Sequence, residues 1–548
     1  MFRACLALTI TVVITSIAAA QNDRKYNEDK FKGYGRKAPA GLFKNVNDST
    51  VGQAIVLNGT ELFIDNRLIQ SMKGTWKKLN RPVKYAKNPV LRPGPKEEGA
   101  PGYATVHYDA KAKMFKMWYQ GWKKTKGPST GLLYFATSKD GINWHKPALD
   151  KKTGLNLVRH PQVQGFQCPG IYLDPRERNP QRRYKMLYSC NPDGTSSTWM
   201  SSVAFSPDGI HWTKSKVTPL IPFSDTQVCP IWDARRQRYV AFLRFGPPNT
   251  RLISRTESED FLHWSPKITV LRRTRMDSVQ ETQFYQMAPM VYGNVYLGFI
   301  GAYHRESLKP IPPDKPWTDR GDIQLAFSRN GVVWNRVGGS GTMTHQYMNQ
   351  DRDWSQATKK ATFIPYGKKD KEWDWGYIIP YFSPHPMVVN DRIYFFYAGT
   401  NAKHWWTWTG DPPKLDPNPT QPKKGIGMAT LRLDGFVSVN AGAKGGTMTT
   451  RPFLFLGDTL LLNADASKGS VAVEALDAKS GKPIKGFELG KSVVLKKDKI
   501  RHALAWKGQK DLHQIQGRAI RLRFHLRQAR MFSITPKTRN SHWVRAYD

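Results

Sequence analysis

The chain has 548 residues, a formal net charge of +41, 39% hydrophobic residues and 12% aromatic residues, 18 of them Trp. That length allows two domains, and the composition is that of an ordinary soluble globule. Beyond the N-terminus no stretch stays apolar for the ~20 residues a membrane helix needs, so stable membrane insertion is not expected.

Residues 1–20, "MFRACLALTITVVITSIAAA", combine Arg3, an apolar run and Ala18-Ala19-Ala20. This pattern predicts a signal peptide cleaved near Ala20-Gln21 and a secreted or periplasmic protein. A membrane anchor is the competing reading, and the run is short for one. Cleavage leaves Cys168, Cys190 and Cys229. An odd count excludes a fully paired disulfide framework, although Cys168 and Cys190 can pair across neighbouring strands. No zinc-type Cys or His spacing appears, so neither metal nor cofactor is expected. Outside the cell, the positive charge favours a polyanion such as a sulfated or uronate-rich polysaccharide over nucleic acid.

Residues 21–60 are polar and basic and read as a loosely ordered arm leading into the strand "ELFIDNRLI" (61–69). From about 100 onward one pattern recurs: "ATSKDGINW" (136–144), "AFSPDGIHW" (204–212), "TESEDFLHW" (256–264) and "AFSRNGVVW" (326–334). Ser and Asp side chains bond turn backbone, Gly supplies positive φ, and Trp covers the apolar face of the hairpin. The pattern is therefore structural, not catalytic. A second hairpin precedes each copy, and a fifth pair follows at 386–400 and 425–439, where Leu433-Asp434-Gly435 takes the place of the turn.

The first turns, at Asp109, Asp174, Asp233, Asn294 and Asp391, recur roughly every 60 residues, with one larger gap. Five units of four antiparallel strands predict an all-β chain, a five-bladed β-propeller over 61–440. An array of β-sandwiches is the alternative architecture. Residues 441–535 carry further strands and read as a C-terminal β-sandwich, and 536–548 as a flexible tail.

Chemistry belongs on the long loops, which all leave the same end of such a ring. The acids on these loops are few. Asp225 lies in "FSDTQVCP", Glu281 in "MDSVQETQFYQM", Asp374 in "KEWDWGYIIP" and Glu98 in "PGPKEEGAPGY". Glycoside hydrolysis requires an acid for the leaving oxygen and a base or nucleophile across the ring, and different blades can supply them. Glu281 is the candidate acid. Asp225 or Asp374 is the base or nucleophile, with Glu98 in reserve. Tyr285, His304, His385, Trp405 and Trp406 are candidate substrate contacts.

The stretches "LFIDNRLI", "NPVLRPG", "FKMWYQG", "AFSPDGIHW" and "DIQLAFSRNGVVW" resemble glycoside hydrolase families 32 and 43, and more closely the secreted bacterial family-32-like group. The resemblance covers about 60–535. It implies a five-bladed propeller with a sandwich, axial carboxylates and a polysaccharide or oligosaccharide substrate. It also implies that Asp225 and Glu281 correspond to the family's second Asp and its Glu acid, each one blade later. The first unit carries no Asn-Asp-Pro motif. A non-catalytic, lectin-like carbohydrate-binding propeller is the competing reading. A sialidase-like protein is disfavoured by the blade count and by the lack of an evident arginine triad. Oligomeric state is not encoded in any pattern found.

Overall fold

The computed structural model describes residues 55–94, 98–99, 101–123, 130–158, 165–191, 200–217, 224, 226–245, 251–272, 282–304, 320–337, 362–368, 371–381, 387–402 and 424–537. Its regular structure is all β, apart from two single-turn 3-10 segments. Among the described residues no helix is long and apolar enough to cross a membrane.

The chain begins with β1 (Ile55–Leu57), β2 (Glu61–Leu62), β3 (Ile69–Lys73), β4 (Thr75–Leu79) and β5 (Val83–Lys84). Five antiparallel sheets follow. The first holds β6 (Gly102–Asp109), β7 (Met114–Lys123) and β8 (Thr130–Ser138). The second holds β9 (Gln167–Leu173), β10 (Tyr184–Cys190), β11 (Met200–Ser206) and β12 (Thr213–Lys214). The third holds β13 (Cys229–Asp233), β14 (Arg238–Phe245), β15 (Leu252–Ser258) and β16 (Ile268–Leu271). The fourth holds β17 (Thr282–Tyr292), β18 (Val295–His304), β19 (Arg320–Ser328), β20 (Asn335–Arg336) and β21 (Thr362–Ile364). The fifth holds β22 (Tyr377–Pro380), β23 (Met387–Val389), β24 (Arg392–Thr400) and β25 (Lys424–Arg432). The first strands touch in succession, β6 to β9, β9 to β13, β13 to β17 and β17 to β22, and β24 returns to β6.

The recurring turn behaves as its residues dictate. Ser206 Oγ accepts from Gly209 N at 2.8 Å, Asp208 Oδ1 accepts from Ile210 N and His211 N, and Trp212 Nε1 donates to Gly209 O at 2.9 Å. The copies at 138–144, 258–264 and 328–334 repeat these bonds. Gly141, Gly209 and Gly331 have φ of 75°, 81° and 74°, and Phe261 holds the same position at 67°. A Cβ on Gly209 would lie 2.6 Å from Trp118 of the first sheet, so this turn also serves as a packing surface between sheets. Asp109, Asp174 and Asp233 accept backbone N–H bonds in the first turns of their sheets, as their spacing predicts.

Two expectations need correction. The stretch 61–69 does not join the first of the five sheets. β2 pairs with the C-terminal strand β33 (Ala529–Lys537), and β3 pairs with β27 (Gly446–Thr450). The fifth sheet does not take its last strand from beyond Asp434 either. The strand there, β26 (Val437–Ala441), pairs with β4 and β33, while β5 lies on β25. A remote N-terminal segment thus covers the edge of the last sheet, which sequence periodicity does not register.

The C-terminal strands complete two more sheets. One contains β1, β3, β27, β28 (Phe453–Phe455), β30 (Ser470–Asp477) and β32 (Ile520–Arg527). The other contains β2, β4, β26, β29 (Thr459–Asp465), β31 (Asp498–Ala503) and β33. They share one apolar core that includes Phe63, Met448, Leu462, Phe524 and Met531. Charged and polar bonds fasten this unit to the fourth and fifth sheets. Arg329 Nη2 donates to Glu61 at 2.7 Å and Asp65 at 2.8 Å, and Asp434 accepts from Tyr292 and Ser533.

Candidate functional site

The five first strands all start at one end, and two glutamines tie them together there. Gln227 Nε2 lies 2.7 Å from Pro169 O, 3.2 Å from both Tyr103 O and Ala104 O, and 3.3 Å from Thr105 Oγ1. Gln286 Nε2 donates to Pro380 O at 2.6 Å and to Gln227 Oε1 at 3.3 Å, while Thr226 Oγ1 donates to Gln286 Oε1 at 3.0 Å. Both amides are buried, so each needs these partners. From two residues before β13, Gln227 reaches β6, β9 and, through Gln286, β17 and β22. Gly170 leaves room for the approach: a Cβ there would meet Val228 O at 2.0 Å.

Aromatic rings and guanidinium groups gather beside this junction. Tyr285 meets Tyr303 at 6.2 Å and Tyr377 at 6.0 Å between centroids, and Tyr103 meets Tyr381 at 6.0 Å. Arg244 lies 4.6 Å and Arg251 5.3 Å from the Tyr285 ring centre, and Arg251 also bonds Gln283. Burial pushes the Tyr103 and Tyr377 phenols well above their ordinary pKa, so both stay neutral donors. His304 lies here too. Its Nε2 is 3.4 Å from Asp322 Oδ1, and its Nδ1 is 3.4 Å from Thr282 Oγ1. Asp322 is also bonded by the Thr362 hydroxyl. A carboxylate, an imidazole and a hydroxyl in series can hold or pass a proton.

Of the candidate carboxylates, Asp225 and Glu281 lie outside the described residues, as do His385, Trp405 and Trp406. Asp374 accepts from Lys84 Nζ at 2.7 Å and from Tyr397 Oη at 2.9 Å. Glu98 accepts from Lys146 Nζ at 2.7 and 2.9 Å and from Tyr119 Oη at 2.8 Å. Both carboxylates are buried, each within its own set of partners. Each is paired with an ammonium group. Tyr285 and His304 lie on paired strands of the fourth sheet, His304 opposite Thr282 and Tyr285 packed against Tyr303.

Sequence reasoning named Tyr285 but missed Gln227, Gln286, Asp322, Arg244, Arg251 and the tyrosines packed around Tyr285. A usable signal existed in the amides of "DTQVCP" and "TQFYQM", which are polar residues set among inner-strand apolar ones. The proposed Cys168–Cys190 pairing is corrected: Cys168, Cys190 and Cys229 are free and buried. Burial pushes the Cys168 and Cys229 thiols up to about 12 and Cys190 up to about 11, so none is a thiolate nucleophile at neutral pH. Among the described residues no group of three or more His, Cys, Asp or Glu side chains is arranged to hold a metal ion.

No family model and no curated protein matches the chain. Solved structures do match over most of their own length. A BT0996 complex with RGII is 14% identical with a TM-score of 0.42, over 65% of this protein and 92% of that one. A structure from work on GH130 mannoside phosphorylases and glycoside hydrolases that target β-1,2 mannosidic linkages in Candida mannan is 13% identical with a TM-score of 0.40, over 65% and 94%. An N-acetylgalactosamine deacetylase from F. plautii, in complex with blood group B trisaccharide, is 12% identical with a TM-score of 0.42, over 65% of this protein and 96% of that one.

Proposed function

We propose that the five sheets are the blades of a β-propeller, that the two-sheet unit is its β-sandwich, and that the protein is a secreted glycoside hydrolase of the family 32 and 43 type. Its substrate is a polysaccharide or oligosaccharide bound where the first strands begin. One observation carries this reading. The Thr226–Gln286 hydrogen bond ties the residue after Asp225 to the strand that Glu281 immediately precedes. The described neighbours of two acids remote in sequence are thus joined, and paired-carboxylate chemistry draws its two acids from separate segments.

In this reading Glu281 protonates the leaving glycosidic oxygen, and Asp225 acts as base or nucleophile. Asp374, paired with Lys84, is the alternative base or nucleophile, and Glu98, paired with Lys146, is the reserve. Tyr285 and Tyr303 offer ring faces to a sugar, and Arg244 and Arg251 favour one bearing an acidic group.

The test is release of new reducing ends from sulfated, uronate and neutral glycans by the wild type, Glu281→Gln and Asp225→Asn. Each variant is expected to lose at least about 100-fold in rate, as removal of an acid or base does. Full activity in both variants overturns the assignment. The lysine capture of both described carboxylates favours a second reading, a binding-only propeller. Glycan binding by all three proteins without new reducing ends would select it.

A further inference from the structure

The outer face of the two-sheet unit carries a cationic row that the hydrolase reading does not use. β32 reads Ile520-Arg-Leu-Arg-Phe-His-Leu-Arg527, with strict in–out alternation. Ile520, Leu522, Phe524 and Leu526 enter the core. Arg521, Arg523, His525 and Arg527 therefore share the opposite face, and alternate residues on a strand are about 6.7 Å apart, so the row extends about 20 Å. Arg523 and His525 keep 39% and 31% of their side-chain surface exposed, and Arg527 is exposed. Cross-strand register sets Thr447 and then Lys73 beside His525, and Thr449 and then Ser71 beside Arg523.

Within this row the acid in register is Glu474, paired with Arg523. Its Oε1 lies 3.2 Å from Arg523 Nη1 and 3.0 Å from His525 Nε2. The row therefore already receives one carboxylate between a guanidinium and an imidazole. Arg527 Nε is anchored on Ala443 O at 3.0 Å, which fixes its fork before any ligand arrives. A central strand with three arginines and a histidine at its outward positions and hydroxyls alongside presents regularly spaced donors to a chain of regularly spaced acids.

We propose that this face is a second carbohydrate-binding surface, separate from the propeller mouth, and that it takes a linear uronate polysaccharide laid along β32. Its sugar carboxylates bond Arg521, Arg523 and Arg527, and Lys73, Ser71 and Thr447 supply flanking contacts. Binding here keeps the protein on its polymer and does not depend on whether the mouth is catalytic.

The full-length protein is titrated with polygalacturonate, dextran sulfate, neutral dextran and duplex DNA, at one salt concentration. Arg521→Gln/Arg523→Gln/Arg527→Gln is compared with Lys479→Gln/Lys482→Gln/Lys507→Gln, which removes the same charge elsewhere on the unit. The arginine variant is expected to bind polygalacturonate about tenfold more weakly, the summed loss of three exposed ion pairs. The lysine variant is expected to bind as the wild type does. An unchanged thermal midpoint in the arginine variant establishes that it remains folded. If that midpoint falls, the single substitution Arg527→Gln is used, with about a twofold loss expected. Equal weakening in the arginine and lysine variants reduces the effect to net charge and overturns the proposal. So does binding of dextran sulfate or DNA as tight as that of polygalacturonate, or no loss in the arginine variant.

Discussion

Gln227→Leu tests the axial junction. Leucine keeps much of the side-chain volume but removes one acceptor and two donor protons. The amide nitrogen has four oxygens within reach, and its two protons serve at most two of them at once. The closest is Pro169 O at 2.7 Å, which loses its glutamine donor in the variant. Two lost bonds at about 0.5–1.5 kcal/mol each, plus about 1–3 kcal/mol for a stranded buried acceptor, give about 2–6 kcal/mol. Gln286 loses less, because its 2.6 Å bond to Pro380 O remains. Gln227→Glu is expected to be worse than leucine at pH 7, since it turns a carboxylate toward those same oxygens. Such a carboxylate has a raised folded-state pKa, so folding favours the protonated form, and the gap to wild type is expected to narrow as pH falls toward 5. Urea unfolding followed by tryptophan fluorescence, with the m-value checked for constancy, measures each difference. A Gln227→Leu loss below about 0.5 kcal/mol refutes the claim that this amide holds the strands together.

Two further outcomes follow from the geometry. Lys84→Met leaves the Asp374 carboxylate, 2% exposed, with its Tyr397 bond but no cation at 2.7 Å. Because Lys84 itself is 23% exposed, the expected cost is about 2–3 kcal/mol, at the low end for a broken buried pair. Lys84→Met/Asp374→Leu is expected to recover most of it, and a double-mutant cycle without coupling rejects the clasp. The second outcome concerns pH. Burial is the largest single influence on Asp140, Asp208 and Asp260 and pushes each carboxyl up. Bonds from the turn backbone and neighbouring side chains outweigh it and hold each at about 2, below the ordinary 3.8. A depressed folded-state pKa contributes stability that is full above the unfolded value and is lost as pH falls through the folded one. Stability is therefore expected to decline between about pH 3.8 and about pH 2, with a shallower slope in Asp140→Asn/Asp208→Asn/Asp260→Asn. An identical slope in that variant rejects the turns as its source.

The turn at 204–212 was readable without coordinates because every bond that shapes it closes within a few residues. Ser206 reaches Gly209, Asp208 reaches His211, and Trp212 returns to Gly209. Alternation on strands such as β32 is local in the same sense. These short-range rules were enough to identify an all-β chain with its repeated sheets, and to mark Asp109, Asp174 and Asp233 as turn residues. The edges of the units were not local. β5 lies on β25, and β2 on β33, through contacts that join distant parts of the chain.

Tertiary structure alone decided which groups face Asp374 and Glu98. As sequence, Asp374 and Glu98 are loop carboxylates in an acid-poor chain, and nothing nearby marks them as spoken for. Their ammonium partners lie 290 and 48 residues away. A carboxylate's readiness to give or take a proton depends on burial and on the charges facing it, and folding supplies both. The same holds where Gln227 meets β6 from more than 120 residues away. Local spacing specifies a turn because its partners are neighbours in the chain, whereas a site is specified by neighbours in space.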